Sequence, residues 1–398
     1  MSEPKELPLG EFVALMAMLT SLVALSIDAM LPALSDIGRD LGAQRQNDNQ
    51  LIISALFLGF ALGQLVYGPI SDRIGRKPGI YAGLTFFILG CILSILAWSY
   101  PVMLLGRFLQ GFGAAGPRIV TMALIRDRYE GRAMARIMSF VITVFVIVPT
   151  LAPALGQLVL TIANWRMIFG LLLVLSVIAL AWFAVRQPES LPPELRAPLA
   201  LGPLVAAAKE VCLNRTAVGY ALAAGLVFGA FLGYLNSAQQ IFQVQFGLGA
   251  LFPVYFGVLS ISFGAASYTN ARLVMRYGMR ALSRRSLQAL CVLSAVFFSF
   301  SLSVQGQPPL WALMAWGATT FFCLGMVFGN FNAMAMEPFG HRAGLAAAFI
   351  GSFTTLISAL LGGFIGQLYD GTVLPLIGGF AVLGSASLGA TFLTERRA

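Results

Sequence analysis

Sixteen acidic residues occur in the 398-residue chain, and one of them, Asp28, falls well inside a long apolar stretch. The single histidine, His341, lies near the end of another such stretch. Asp28 is therefore the deep group that can take up and release a proton. Two arginines share its kind of setting: Arg107 in "GRFLQGFG" and Arg118, eleven residues or three helical turns further along the same face. A guanidinium keeps its charge and presents a planar fork that suits a carboxylate. Desolvation favours a protonated carboxyl and a nearby cation an ionised one, so the proton affinity of an Asp28–Arg107 pair would swing as its surroundings open and close. Asp28 and Arg107 are the candidate proton-coupling residues, and Arg118 is a candidate contact for an anionic group. Paired deep acids, a histidine pair and a phosphate-cradling loop are missing from the sequence, and the four cysteines lack metal-ligand spacing. Neither catalysis nor a metal site is expected.

A second concentration of charge is "GPISDRIGRKPGI", which carries Gly68, Asp72, Arg73, Gly75, Arg76 and Lys77. Glycines here permit a sharp turn and the basic residues mark a water-facing loop. Topology explains the cations but not Asp72 among them.

These residues are set in a chain that is 58% hydrophobic and 10% charged, against roughly 25% charged in soluble domains. Without water to satisfy backbone groups, stretches this apolar must cross a bilayer as helices of about 20 residues. Interruptions in the apolar pattern divide the chain into about twelve spans: 11–34, 49–71, 78–99, 102–125, 134–160, 165–186, 214–243, 250–275, 281–304, 309–336, 342–368 and 372–393. The charged start "MSEPKELPLGEF" does not read as a cleaved signal peptide. Most of the 25 Lys and Arg residues fall in alternate segments that include both termini, which places both termini in the cytoplasm. That topology accounts for the net charge of +9, so nucleic-acid binding is not expected. The long loop after Arg186 contains Pro188, Pro192, Pro193, Pro198 and Pro203 and reads as a linker. Residues 1–186 and 214–398 become two six-helix bundles joined by 187–213, a layout in which repeated halves rock about a central site.

The order G-x-x-x-D-R-x-G-R-K from Gly68 to Lys77 resembles the signature of the major facilitator superfamily between spans two and three. The second-half counterpart, "YTNARLVMRYGMRALSRR", sets Gly278 opposite Gly75, Arg280 opposite Lys77 and Met275 where an acid would fall. Arg107 and Gly111 fit the R-x-x-x-G pattern of proton-coupled antiporters. "VPTLAPALGQ" keeps Pro149, Pro153 and Gly156 of the antiporter bend, with Ala152 and Gln157 where glycines are usual. "SIDAMLPAL", "MALIRDRYEGRAMARIMSF" and "MEPFGHRAG" resemble the bicyclomycin and chloramphenicol resistance (Bcr/CflA) branch over nearly the whole chain. The resemblance implies an all-α membrane fold of twelve helices. It also implies that Asp72 binds neighbouring arginines and the N-terminal end of the eleventh helix, as a latch on the inner face.

In span seven Asn236, Gln240 and Gln243 recur at i, i+4 and i+7 and share one face. With Tyr234, Gln239, Tyr268, Asn330, Asn332 and Arg118 they are the candidate lining of a substrate cavity. The sequence thus describes a proton-coupled drug exporter of the bacterial inner membrane. It is expected to act as a monomer, to use the proton gradient and no cofactor, and to handle small, partly apolar compounds. An alternative is a carrier of one metabolite, such as a siderophore or modified peptide; a membrane enzyme or sensor fits less well.

Overall fold

The computed structural model describes residues 7–196 and 201–396. Lys5, Pro198 and Arg397 lie outside the described residues, as does the side chain of His341. Twelve helices are long and apolar enough to cross a membrane, and no strand occurs among the described residues. The helices are α1 Leu9–Asp28, α2 Leu34–Asp40, α3 Leu51–Ile74, α4 Arg76–Ile95, α5 Tyr100–Arg128, α6 Gly131–Ile162 and α7 Arg166–Arg186, then α8 Leu201–Leu213, α9 Arg215–Gln239, α10 Phe252–Tyr277, α11 Met279–Ser303, α12 Leu310–Met336, α13 Ala343–Gln367 and α14 Leu374–Glu395. The chain divides into two compact units, one of Met1–Gly42 with Ala55–Pro203, the other of Ala43–Ser54 with Leu204–Ala398.

The first span is not the single helix expected over 11–34. Pro32 has no N–H to offer the Asp28 carbonyl four residues back, so α1 stops at Asp28. A 3-10 turn, Leu31–Ala33, and α2 follow. Within the expected linker, a 3-10 turn at Pro193–Leu195 and the helix α8 form.

In the first unit α5 is the packing axis, and its small residues set the distances. A Cβ at Gly111 would overlap the Leu56 carbonyl of α3, and one at Gly113 would overlap the backbone of α4 at Phe87. Close backbone approach of this kind is how helices bind one another in lipid, where apolar side chains gain little by leaving the tails. Gly156 of α6 likewise lies against the Ala29 carbonyl, directly after the α1 break. In the second unit α9 is the axis, packed by α12, α13 and α14. The Tyr234 ring meets Phe321 edge-on at 4.7 Å and stacks on Phe256 at 5.7 Å.

The two halves repeat one backbone device. Gly75 begins α4 at φ +110°, ψ 158°, and Gly278 begins α11 at φ +76°, ψ 157°. Both values lie where a side chain is strained, which accounts for glycine at each turn.

Replacing Gly111 by Leu should lower stability by about 1–3 kcal/mol or more, since α5 cannot move off both neighbours. Gly10→Ala, where open space surrounds the new Cβ, should stay within about 0.5 kcal/mol of wild type. Thermal melts of the detergent-purified proteins by fluorescence-detected gel filtration would show it, and equal midpoints would refute the packing account.

Candidate functional site

The charged residues of the first unit gather at two places. One is the α1 break. Asp28 is buried at the last position of α1, and among the described residues it is the one carboxylate-bearing residue in the buried class. Arg107 on α5 is fully buried. The direct pair expected between them is not what the helix break produces. Arg107 Nη2 donates to the Ser26 carbonyl at 2.7 Å, two residues before Asp28. That carbonyl lies in the last turn of α1, where intrahelical donors run out and lipid supplies none. The guanidinium also offsets the negative end of the α1 dipole.

Arg107 Nη1 donates to Gln110 Oε1 at 2.5 Å, and Gln110 Nε2 donates to Cys91 Sγ on α4 at 3.0 Å. Because arginine only donates, Gln110 must turn its oxygen to it and its amide nitrogen to the thiol. The guanidinium is also 5.7 Å from the centre of the Phe169 ring of α7. Gln110 and Cys91 escaped sequence analysis; a polar residue one turn after Arg107, inside a span, was the available signal.

Further along α5 the half-buried Arg118 guanidinium lies over the Phe145 ring of α6, 4.7 Å from its centre. The antiporter-bend prolines, Pro149 and Pro153, are inside α6 and take the intrahelical donors away from the carbonyls of Phe145 and Pro149. Gly156 brings α6 against the α1 break, as described above.

The second place is the turn between α3 and α4. Arg76 is buried and bonds two carboxylates: Asp72 through Nη1, and Asp127 of α5 through Nε at 2.7 Å and Nη2 at 3.3 Å. Nη1 also donates to Ser71 Oγ, which donates to the Gly68 carbonyl at 2.9 Å. Lys77 Nζ donates to the Ala184 carbonyl near the end of α7 at 2.9 Å, and Arg73 is exposed. Asp127, two residues beyond the expected span 102–125, accepts from the Nε–Nη2 edge of Arg76 through both of its oxygens, and Asp72 takes Nη1.

In the second unit the expected cavity residues separate. Gln240 enters a network at the end of α9: its Nε2 donates to Asn47 Oδ1 at 2.9 Å and its Oε1 accepts from Gln50 Nε2. Asn47 Nδ2 donates to the carbonyls of Gln367 and Tyr369 at 3.0 and 2.8 Å. Since carbonyls only accept, they fix the orientation of each amide in the chain. Gln239 donates to Gln243 at 2.8 Å, and Asn236 is buried one turn before Gln240. A π turn over Gln240–Gln245 re-aims the expected i, i+4, i+7 face beyond Gln240. Asn330 pairs reciprocally with Asn270 at 2.9 and 3.0 Å. Asn332 donates to the Phe328 carbonyl at 3.0 Å, a bond within its own helix. Tyr268 is exposed and accepts from Arg272. The structure thus brings Gln240 together with Asn47 and Gln50, which the sequence did not single out, and leaves Tyr268 apart.

Residues 16–366 match the Major Facilitator Superfamily. The chain belongs to that superfamily. Among curated superfamily relatives, Multidrug resistance protein D of Escherichia coli is 30% identical over 355 residues, 88% of this chain and 87% of that one. The Bicyclomycin resistance protein homolog of Haemophilus influenzae is 27% identical over 92% of this chain and 91% of its own. An uncharacterized MFS-type transporter, YdgK of Bacillus subtilis, is 28% identical over 91% and 90%. These relatives agree with the resemblance to the Bcr/CflA branch. Solved major facilitator structures share the fold: the xylose transporter XylE at TM-score 0.75 and 11% identity, covering 98% of this chain and 97% of that one, and the human organic anion transporter MFSD10 at 0.72 and 17%, covering 98% and 99%. As a superfamily member the chain is a multi-pass membrane transporter and not an enzyme.

Arg76 binds its two acids unequally. Its bond to Asp127 is two-pronged and the Asp127 side chain is 20% exposed, against 39% for Asp72. Asp127→Asn should therefore cost more stability than Asp72→Asn, by about 1 kcal/mol. Melting of both variants and of the double mutant would measure it, and the reverse order would refute this account.

Proposed function

We propose that the protein is a proton-coupled efflux antiporter of the bacterial inner membrane, with both termini cytoplasmic, that exports small, partly apolar compounds by alternating access. The observation that carries this reading is Asp28: a buried carboxyl at a broken helix end, with a buried cation anchored two residues away. Asp28 takes a proton from one side and releases it to the other. Arg107 does not need to leave Ser26 for this; it sets the field in which Asp28 titrates and keeps the freed end of α1 intact. Pro149, Pro153 and Gly156 let α6 follow the break. The turn from Gly68 to Lys77 serves as the conformational element, with Arg76 holding Asp72 and Asp127.

Multidrug and bicyclomycin resistance relatives support efflux of drug-like compounds. In the second unit the aromatic cluster of Tyr234, Phe256 and Phe321 offers an apolar surface suited to such compounds, while the amides of Gln240, Asn330 and Asn332 are engaged with other partners. A second reading, carriage of one anionic metabolite, draws on Arg118, whose guanidinium has an aromatic partner in Phe145 and no ion pair among the described residues.

In inverted membrane vesicles, Asp28→Asn should abolish proton-driven ethidium transport while the protein remains folded. Arg107→Ala should be as inactive and Arg107→Lys partly active, since lysine keeps the charge but loses the fork. Wild-type rates in Asp28→Asn vesicles would end the proton-site assignment. For the second reading, Arg118→Ala should raise KM for anionic compounds by about tenfold and leave chloramphenicol and ethidium nearly unchanged; equal effects on all three would assign Arg118 to packing.

A further inference from the structure

The turn between α3 and α4 is held by a residue outside every motif described so far. Glu189 lies three residues beyond the end of α7, at the start of the Pro-rich segment. Its carboxylate accepts the first two backbone N–H groups of α4, Arg76 N to Oε1 at 2.9 Å and Lys77 N to Oε2 at 3.0 Å. Oε1 also accepts from the N–H groups of Ser190 at 2.9 Å and Leu191 at 3.0 Å. One carboxylate thus serves four backbone donors: two in the segment it belongs to and two at the helix that begins the charged turn.

The approach is close enough to require glycine next door. A Cβ at Gly75 would stand 2.5 Å from Glu189 Oε2 and 3.0 Å from its Cδ. Gly75 is therefore needed twice, for its φ and for the carboxylate beside it. A second tie runs alongside: Ser190 Oγ donates to Asp127 Oδ2 at 3.2 Å, the same oxygen that accepts from Arg76 Nε. A third is Lys77 Nζ on the Ala184 carbonyl of α7. The N-terminal end of a helix attracts an anion through its free N–H groups and its dipole. Here that anion comes from the segment that follows the sixth span.

We infer that Glu189 is a positioning residue for the charged turn: by capping α4 it fixes the backbone of Arg76, and through it the guanidinium that holds Asp72 and Asp127. This rests on reading the turn as the conformational element of transport. It adds that the start of the linker is part of that element. A shift of residues 187–191 would pull on Arg76 directly, and rearrangement of the turn would release the linker.

The test uses the full-length protein, as wild type, Glu189→Ala and Glu189→Gln, in hydrogen–deuterium exchange followed by mass spectrometry. Loss of one helix cap speeds exchange of the capped amides by about fivefold. A cap with only local effect would raise exchange at residues 76–78 alone. The inference requires the increase to extend to the last turn of α5, residues 124–128, and to the end of α3, residues 70–74. Glu189→Gln, which keeps one acceptor oxygen but sets an N–H₂ against Lys77 N–H, should fall between the other two. In vesicles, with ethidium as the probe, the maximal rate of Glu189→Ala should fall by about fivefold with KM held, and Asp72→Asn should add little to that loss. Faster exchange confined to 76–78, a raised KM at unchanged maximal rate, or fully additive losses would each overturn the inference. Should wild-type vesicles fail to move ethidium, the export reading falls, while the exchange pattern still decides the role of Glu189.

Discussion

A helix that ends inside lipid has to satisfy its last carbonyls within the protein, because no water is available to accept the task. The break of α1 at Asp28 creates this demand, and much of the first unit answers it. Arg107 supplies donors to Ser26, Gln110 holds Arg107, and Cys91 receives the remaining amide of Gln110. Gly156 and Gly111 allow α6 and α3 to stand close enough to enclose the arrangement. Pro32, by withholding one N–H, produces both the buried acid at a helix end and the need for a buried cation. A carboxyl at such a position can change charge without a change in the backbone around it, since the backbone is already capped by a group that does not titrate.

The turn between α3 and α4 solves a related problem with opposite signs. There it is the amide end of a helix, α4, that needs partners, and a carboxylate supplies them. The cations of the turn are then free to act through their side chains: Arg76 toward two acids, Lys77 toward the end of α7. Division of labour between backbone and side chain lets a ten-residue stretch hold four helices in register.

The sequence disclosed residues that are anomalous where they stand. Asp28, Arg107 and Arg118 are charges in apolar runs, and the turn from Gly68 to Lys77 is polar between two spans, so composition alone draws attention to them. Their partners are ordinary by type and position. Asp127 and Glu189 look like solvated acids beyond helix ends, and only the return of the chain brings them to Arg76. Gln110, Asn47 and Gln50 are uncharged amides of a kind that often serves packing. The first span looked continuous because its apolar residues run through Pro32 without a polar gap; hydropathy reports where a chain prefers to be, not whether its backbone ladder is intact. The regular face expected of Asn236, Gln240 and Gln243 failed for a similar reason, since a π turn inserts a step that periodicity cannot anticipate.

The amide network of the second unit has a chemical property that the charged turn lacks. Asn47, Gln50, Gln240 and Gln367 carry no ionisable group, and each bond among them runs between neutral partners. Its strength is therefore the same in acid and base and nearly the same in dilute and concentrated salt, whereas the half-exposed Asp72–Arg76 pair weakens as ions screen it. Fastenings made from amides keep one setting at any ionic strength, and those made from exposed ion pairs loosen as salt rises.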